Sequence, residues 1–243
     1  MGYIEGFVVA VPAANEAAYR RHTETVLPLF KELGVTRMVQ TWGDEVPDGK
    51  VTDFKRAVQA KSDEVVVFTW LEYPSKAVRD AANQKMMNDS AAKAIAQNLP
   101  FDGQRVIFAG FETLLDLGQS AGKSKPGYVD ATLLPVPVAN KAAFRDWAAR
   151  MGELFREHGA TRVLDGWGDD VPDGKVTDFR RAVKARDGET VVYGWIEWPA
   201  KGVRDAAWGK LMADPRMQPD KSKPSLFDGQ RMVYGGFTPI LDA

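Results

Sequence analysis

WGDEVPDGKVTDF (Trp42–Phe54) returns as WGDDVPDGKVTDF (Trp167–Phe179), and the two runs differ only at Glu45/Asp170. The match extends outward at the same spacing of 125 positions, carrying Gly2–Met87 onto Gly127–Met212. One residue is gained further on, so FDGQR at Phe101–Arg105 recurs 126 positions later at Phe227–Arg231. A chain of 243 residues built this way divides into two units, residues 1–117 and 127–243. Each is long enough to bury its own core. Between them, residues 118–126 (GQSAGKSKP) are rich in Gly, Ser and Lys and are expected to be a flexible linker. Extended, that segment spans roughly 30 Å, enough to lay one unit beside the other. The period is far longer than the roughly 20–50 residues of solenoid or propeller repeats.

Within each unit the order is strand, helix, strand, strand, helix, strand. Tyr3–Val11 alternates as a strand, and Asn15 stands where an N-cap would accept from free helix N–H groups. Tyr19, Val26, Phe30 and Leu33 recur at helical spacing, and Gly34 stops the helix. Asn140, Phe144, Met151, Phe155 and Gly159 repeat the pattern. Thr36–Trp42 predicts a strand, Phe54–Ala60 an extended continuation of it, Val65–Tyr73 a third strand, Ser75–Met87 a helix and Phe101–Thr113 the last strand. This split β-α-β order is ferredoxin-like α+β. Two such sheets would cover each other's aromatic faces in a closed or nearly closed barrel, so the chain is expected to be an internal pseudo-dimer.

Strand residues alternate between faces. Faces that combine an aromatic with a charge are assigned to the space between the sheets: Tyr3/Glu5/Phe7, Met38/Gln40/Trp42, Phe68/Trp70/Glu72 and Arg105/Ile107/Phe111, with their repeats. Glu72 beside Trp70, and Glu197 beside Trp195, are the candidate acid–base groups, because a carboxyl in a dry aromatic site tends to a raised pKa. Trp42, Trp70, Trp167 and Trp195 are candidate ligand walls, and Arg105 and Arg231 candidate anchors for an anionic group. The competing assignment is a buried Glu72–Arg105 ion pair, with Glu197–Arg231 its repeat. Differences such as Gln40/Asp165 and Thr69/Gly194 permit unequal pockets in the two halves.

The shared loop supplies Asp44, Lys50 and Asp53, repeated as Asp169, Lys175 and Asp178, as candidate ligand contacts. It is not a phosphate loop: five residues separate Gly43 from Gly49, and Val51 stands where Ser or Thr is needed. EF-hand spacing is absent as well. Pro47-Asp48-Gly49 reads equally well as a tight turn, with Asp53 capping or pairing with Arg56. Arg79-Asp80 and Arg204-Asp205 are expected to be surface pairs or pins between helix and loop.

The balance of 32 basic and 33 acidic residues gives a net charge of -1, with no basic block to meet a nucleic acid or an anionic membrane. There is no cysteine, which excludes disulfides and thiolate chemistry. His22 and His158 are not repeat equivalents, so no metal site is expected. No cofactor motif, signal peptide or 18-residue apolar run is visible, and a cytoplasmic location is expected.

The runs YIEGFVVAVPAAN, WGDEVPDGKVTDF, WLEYPSKAVRDAANQKMM and FDGQRVIFAGFE resemble the bacterial DUF1428 (YbaA-like) family over almost all of each half. That resemblance implies a ferredoxin-like unit that pairs as a dimeric α/β barrel; here the pair is fused in tandem. It carries no activity. The wider barrel superfamily includes cofactor-independent monooxygenases, isomerases and haem proteins, an analogy of fold alone. Two functions remain open: binding of a small, partly apolar molecule in the barrel, with or without acid–base chemistry, or a non-catalytic interaction or stress-related role with a packed barrel. A filled inter-sheet space would remove chemistry there.

Overall fold

The computed structural model describes residues 2–118, 125–218 and 224–243. Most of the expected linker, residues 119–124, lies outside them. The first half contains β1 (Tyr3–Pro12), α1 (Glu16–Glu32), β2 (Arg37–Glu45), α2 (Phe54–Ala57), β3 (Glu64–Tyr73), α3 (Lys76–Asn88), α4 (Ser90–Ala96) and β4 (Ile107–Gly118). The second contains β5 (Tyr128–Pro137), α5 (Lys141–Glu157), β6 (Arg162–Asp170), α6 (Phe179–Ala182), β7 (Glu189–Trp198), α7 (Lys201–Leu211) and β8 (Val233–Asp242). All eight strands close one antiparallel barrel in the order β1-β3-β2-β8-β5-β7-β6-β4. Each half supplies the ferredoxin-like order β4-β1-β3-β2. The seams between halves are β2 with β8 and β4 with β6.

Several local expectations change. Phe54–Ala57 is helical rather than extended, because Asp53 accepts from Arg56 N at 2.8 Å and so caps a helical turn. Asn15 and Asn140 do not cap with their side chains; their amides donate instead to Pro100 O and Leu226 O. The last strand begins at Ile107, since Gly103–Arg105 is a 3-10 turn capped by Asp102. Helix α4 was not foreseen. Gly34 and Gly159 do end their helices, at φ of +93° and +103°, where a β-carbon is disfavoured.

The barrel interior is a packed aromatic core. Trp70 stacks on Trp195 with centroids 4.4 Å apart, and Phe68 stacks on Tyr193 at 4.3 Å. Gly6 makes room for the Tyr193 ring, which a β-carbon there would crowd. Phe54 and Phe179 enter from one end and meet Phe237 and Phe111 edge-on at 5.3 and 5.5 Å. Their helices close that end by reciprocal bonds: Thr52 Oγ1 donates to Ala182 O at 2.6 Å and Thr177 Oγ1 to Ala57 O at 2.7 Å. The identical loop therefore packs against its own copy.

The face assignment holds for β3, and for Ile107 and Phe111 of β4, which line the interior. It inverts for β1 and β2. Ile4, Val8 and Val39 point inward, whereas Tyr3, Phe7, Met38 and Trp42 face the helices.

Candidate functional site

The sequence-predicted carboxylates meet at the barrel end opposite the plug helices. Arg162 donates to Glu72 at 2.6 and 3.0 Å and to Asp116 at 2.9 and 2.9 Å. Its repeat, Arg37, donates to Glu197 at 2.7 and 3.1 Å and to Asp242 at 2.9 and 2.8 Å. Trp70 and Trp195 complete the cluster by donating Nε1–H to Glu72 at 3.1 Å and Glu197 at 3.0 Å. Burial alone would lower the Arg37 pKa; its hydrogen bonds to Asp242 and Glu197 outweigh that and hold it above its ordinary value. Each arginine thus clamps a glutamate of the other half, and both glutamates face two forked donors and an indole. The arrangement is an ion-pair lock between the two halves. Sequence reasoning missed Arg37 and Arg162. Their matched positions at the head of β2 and β6, on the face of Val39 and Leu164, were the available signal.

Arg105 does not reach Glu72. It donates to Glu64 at 2.6 and 2.7 Å, to Asp102 at 2.9 Å and to Gln59 O at 2.8 Å. Glu64 and Glu72 lie at opposite ends of β3, about 26 Å apart at ~3.3 Å per residue. The Arg105 hydrogen bond holds the Glu64 carboxyl down at about 2. Arg231 repeats the latch with Glu189, Asp228 and Lys184 O, so each arginine makes four hydrogen bonds to protein oxygens.

Trp42 and Trp167 lie on the outer face. Trp42 packs 6.1 Å from Tyr19, and Trp167 lies under Lys141 at 5.5 Å. The loop residues serve contacts between halves: Tyr128 donates to Asp44 at 2.9 Å and Tyr3 to Asp169 at 3.0 Å. Asp53 and Asp178 cap α2 and α6, while Lys50 and Lys175 are exposed. Arg79 and Arg204 pin α3 and α7 to Asp170 and Glu45 at 2.7 and 2.8 Å. Among the described residues no cluster of three or more His, Asp or Glu could hold a metal ion.

A different constellation lies on the outer face, under the helices. One row of paired residues crosses the first half's sheet as Phe108, Phe7, Thr69, Gln40 and Leu241. Its repeat in the second half is Tyr234, Thr132, Gly194, Asp165 and Leu115. In the first row the Gln40 acceptor is satisfied. Gln40 Oε1 accepts from Tyr19 Oη at 2.6 Å and from Thr69 Oγ1 at 2.6 Å, and Phe7 stacks on Phe108 at 6.2 Å. In the second row the donors are gone: Phe144 stands for Tyr19 and Gly194 for Thr69. Among the described residues no donor reaches Asp165. It is ringed by protein yet keeps part of its surface open, and burial pushes its carboxyl up to about 7. Gln40/Asp165 and Thr69/Gly194 were legible as differences, but Gln40 and Asp165 were placed between the sheets. Phe7/Thr132 and Tyr19/Phe144 belong to the same patch, and comparing the halves along the strand register reveals it.

The DUF1428 profile, that of a protein family of unknown function, matches residues 2–103 and again 127–229. The chain belongs to the DUF1428 family. Uncharacterized protein YbaA of Escherichia coli K12 is 57% identical over 116 residues, covering 48% of this chain and 99% of YbaA. A DUF1428 protein can thus be one repeat long, and the present chain carries two. Among solved structures, a putative monooxygenase from Fusobacterium nucleatum superposes with a TM-score of 0.63 at 11% identity, covering 99% of this chain and 93% of its own. A putative monooxygenase from Lactobacillus acidophilus gives 0.58 at 9% identity, over 100% and 95%. At such identities the likeness establishes the shared fold and no site residue. No helix among the described residues is long and apolar enough to cross a membrane.

Proposed function

We infer that the chain binds a small, partly apolar molecule on the outer face of the second half's sheet, beside α5, with Asp165 as its proton-accepting or proton-donating anchor. Asp165 itself carries this inference: a carboxyl set among protein atoms that no donor among the described residues reaches, where the first half has Gln40 accepting from two hydroxyls. A group titrating near neutral pH is suited to general acid–base work. The barrel axis, filled by the Trp70–Trp195 and Phe68–Tyr193 stacks, supports moving the binding role away from the centre.

A thermal-shift screen of small hydroxyl- and carbonyl-bearing compounds tests the assignment. Compounds that raise the melting midpoint of the natural chain are expected to lose that effect in Asp165→Asn and Gly194→Thr. If they stabilise all three proteins alike, or if no compound stabilises the natural chain, the site is not there.

A further inference from the structure

We propose that the first half carries a separate binding site, a cleft between α1 and the α4 segment that takes a short aliphatic monocarboxylate, bonded to His22 under the positive charge of Arg21. The site does not depend on Asp165, which lies in the other half. Ala18, Arg21, His22 and Thr25 recur at three- and four-residue spacing and so share one flank of α1. That flank lies beside the Tyr19, Thr23 and Val26 stripe, which is buried. Opposite it, Ala94, Ile95, Leu99 and Pro100 form the second wall, and the open cleft between the walls measures about 560 Å³. Small-ligand sites run to roughly 300–1,000 Å³. The walls are tied together: Asn15 Nδ2 donates to Pro100 O at 2.8 Å, and the His22 ring meets Phe101 edge-on at 5.8 Å.

The lining decides the sign of the ligand. It holds one cation, Arg21, and no acidic residue. Among the described residues, neither the Arg21 guanidinium nor the His22 imidazole meets a hydrogen-bond or ion-pair partner. Burial holds the His22 pKa below its ordinary value, so near neutral pH the ring is uncharged and offers one N–H. A carboxylate accepting from that N–H stands beside the guanidinium, and a charged acceptor makes the stronger hydrogen bond. Ile95, Leu99 and Pro100 cover its alkyl tail. The second half replaces each of these parts. On α5, Trp147 stands for His22 and lays its indole 5.2 Å from Phe227, the repeat of Phe101. Asp146 stands for Arg21 and reverses the charge. Where α3 is followed by α4, α7 is followed by the 3-10 turn Pro215–Met217. One such site per chain follows.

Nuclear magnetic resonance titrations of the full-length chain, with hexanoate and hexan-1-ol as probes, decide the matter. Hexanoate is expected to shift the His22 ring and the amides of Arg21, Ile95 and Leu99 saturably. It is expected to bind about tenfold or more tighter than hexan-1-ol, whose hydroxyl carries no charge. His22→Trp installs the second half's indole and Arg21→Asp its charge, and each is expected to weaken hexanoate by about tenfold or more. Arg21 is exposed, so Arg21→Asp reads the charge effect even where His22→Trp disturbs the fold. Equal affinity for hexanoate and hexan-1-ol overturns the carboxylate class. Hexanoate shifts that do not saturate or that fall in other regions, or binding unchanged in Arg21→Asp, overturn the site.

Discussion

Glu197 and Asp165 are both enclosed carboxyls of the second half, and their surroundings give opposite expectations. Glu197 answers Arg37 twice and Trp195 once. Glu197→Gln strips a buried guanidinium of a counter-ion and is expected to destabilise by about 3 kcal/mol, read as a lower urea midpoint. Among the described residues Asp165 faces no cation and no donor. Its folded-state pKa of about 7 lies above the ordinary carboxylate value, so between about pH 4 and pH 7 the folded chain holds a proton that the unfolded chain has released. Stability contributed at this residue therefore falls as pH rises through that window. Asp165→Asn is expected to stabilise the chain above pH 7 by on the order of 2 kcal/mol, allowing for its partial exposure, with the gain fading toward pH 4. Parallel urea melts at pH 4.5 and pH 8 check the sign; an equal effect at both would mean that Asp165 ionises normally.

At the scale of elements, the short helices α2 and α6 do more than their length suggests. Each drives one phenylalanine into the barrel and bonds to the other across the pseudo-two-fold axis. Phe54→Ala should remove about 3–5 kcal/mol, the range for an emptied aromatic core site, and Asp53→Ala only about 1 kcal/mol, the worth of a cap. Thermal melts of the pair test the ratio; similar losses would show that the cap, rather than the plug, holds this end shut. The same helices mark a limit of legibility. The Val65–Tyr73 strand and the α1 periodicity were plain, because long runs with one apolar face declare their period. The sequence VTDF, in contrast, gives no period from which a four-residue helix could be read. The outer site was hidden for a related reason. Tyr19 lies on a helix while Phe7, Thr69 and Gln40 lie on three strands, and only the register of β1, β3 and β2 brings them together. Placing Gln40 between the sheets followed from assigning the Met38/Gln40/Trp42 face inward, when that face, like the Tyr3/Glu5/Phe7 face of β1, turns to the helices.

At the scale of the whole molecule, the seams β2–β8 and β4–β6 mean that neither half closes a barrel alone. Residues 1–118 produced separately would present two open strand edges and the rings of Phe68 and Trp70 to water. That fragment is expected to run as a dimer in size-exclusion chromatography with light scattering, each copy taking the place of the missing half. A folded monomeric fragment would contradict the barrel as the folding unit. The intact chain, with its seams inside one molecule, is expected to melt at a temperature independent of protein concentration.

Joining the halves also changes what mutation can do. In a symmetric pair of identical chains, every substitution is written on both walls, and an emptied aromatic position weakens the assembly twice. Here Phe7, Thr69 and Tyr19 stand on one wall where Thr132, Gly194 and Phe144 stand on the other. The tandem chain thus permits a division of labour, one repeat conserving the architecture and the other free to specialise, from a surface that a homodimer must keep the same on both sides.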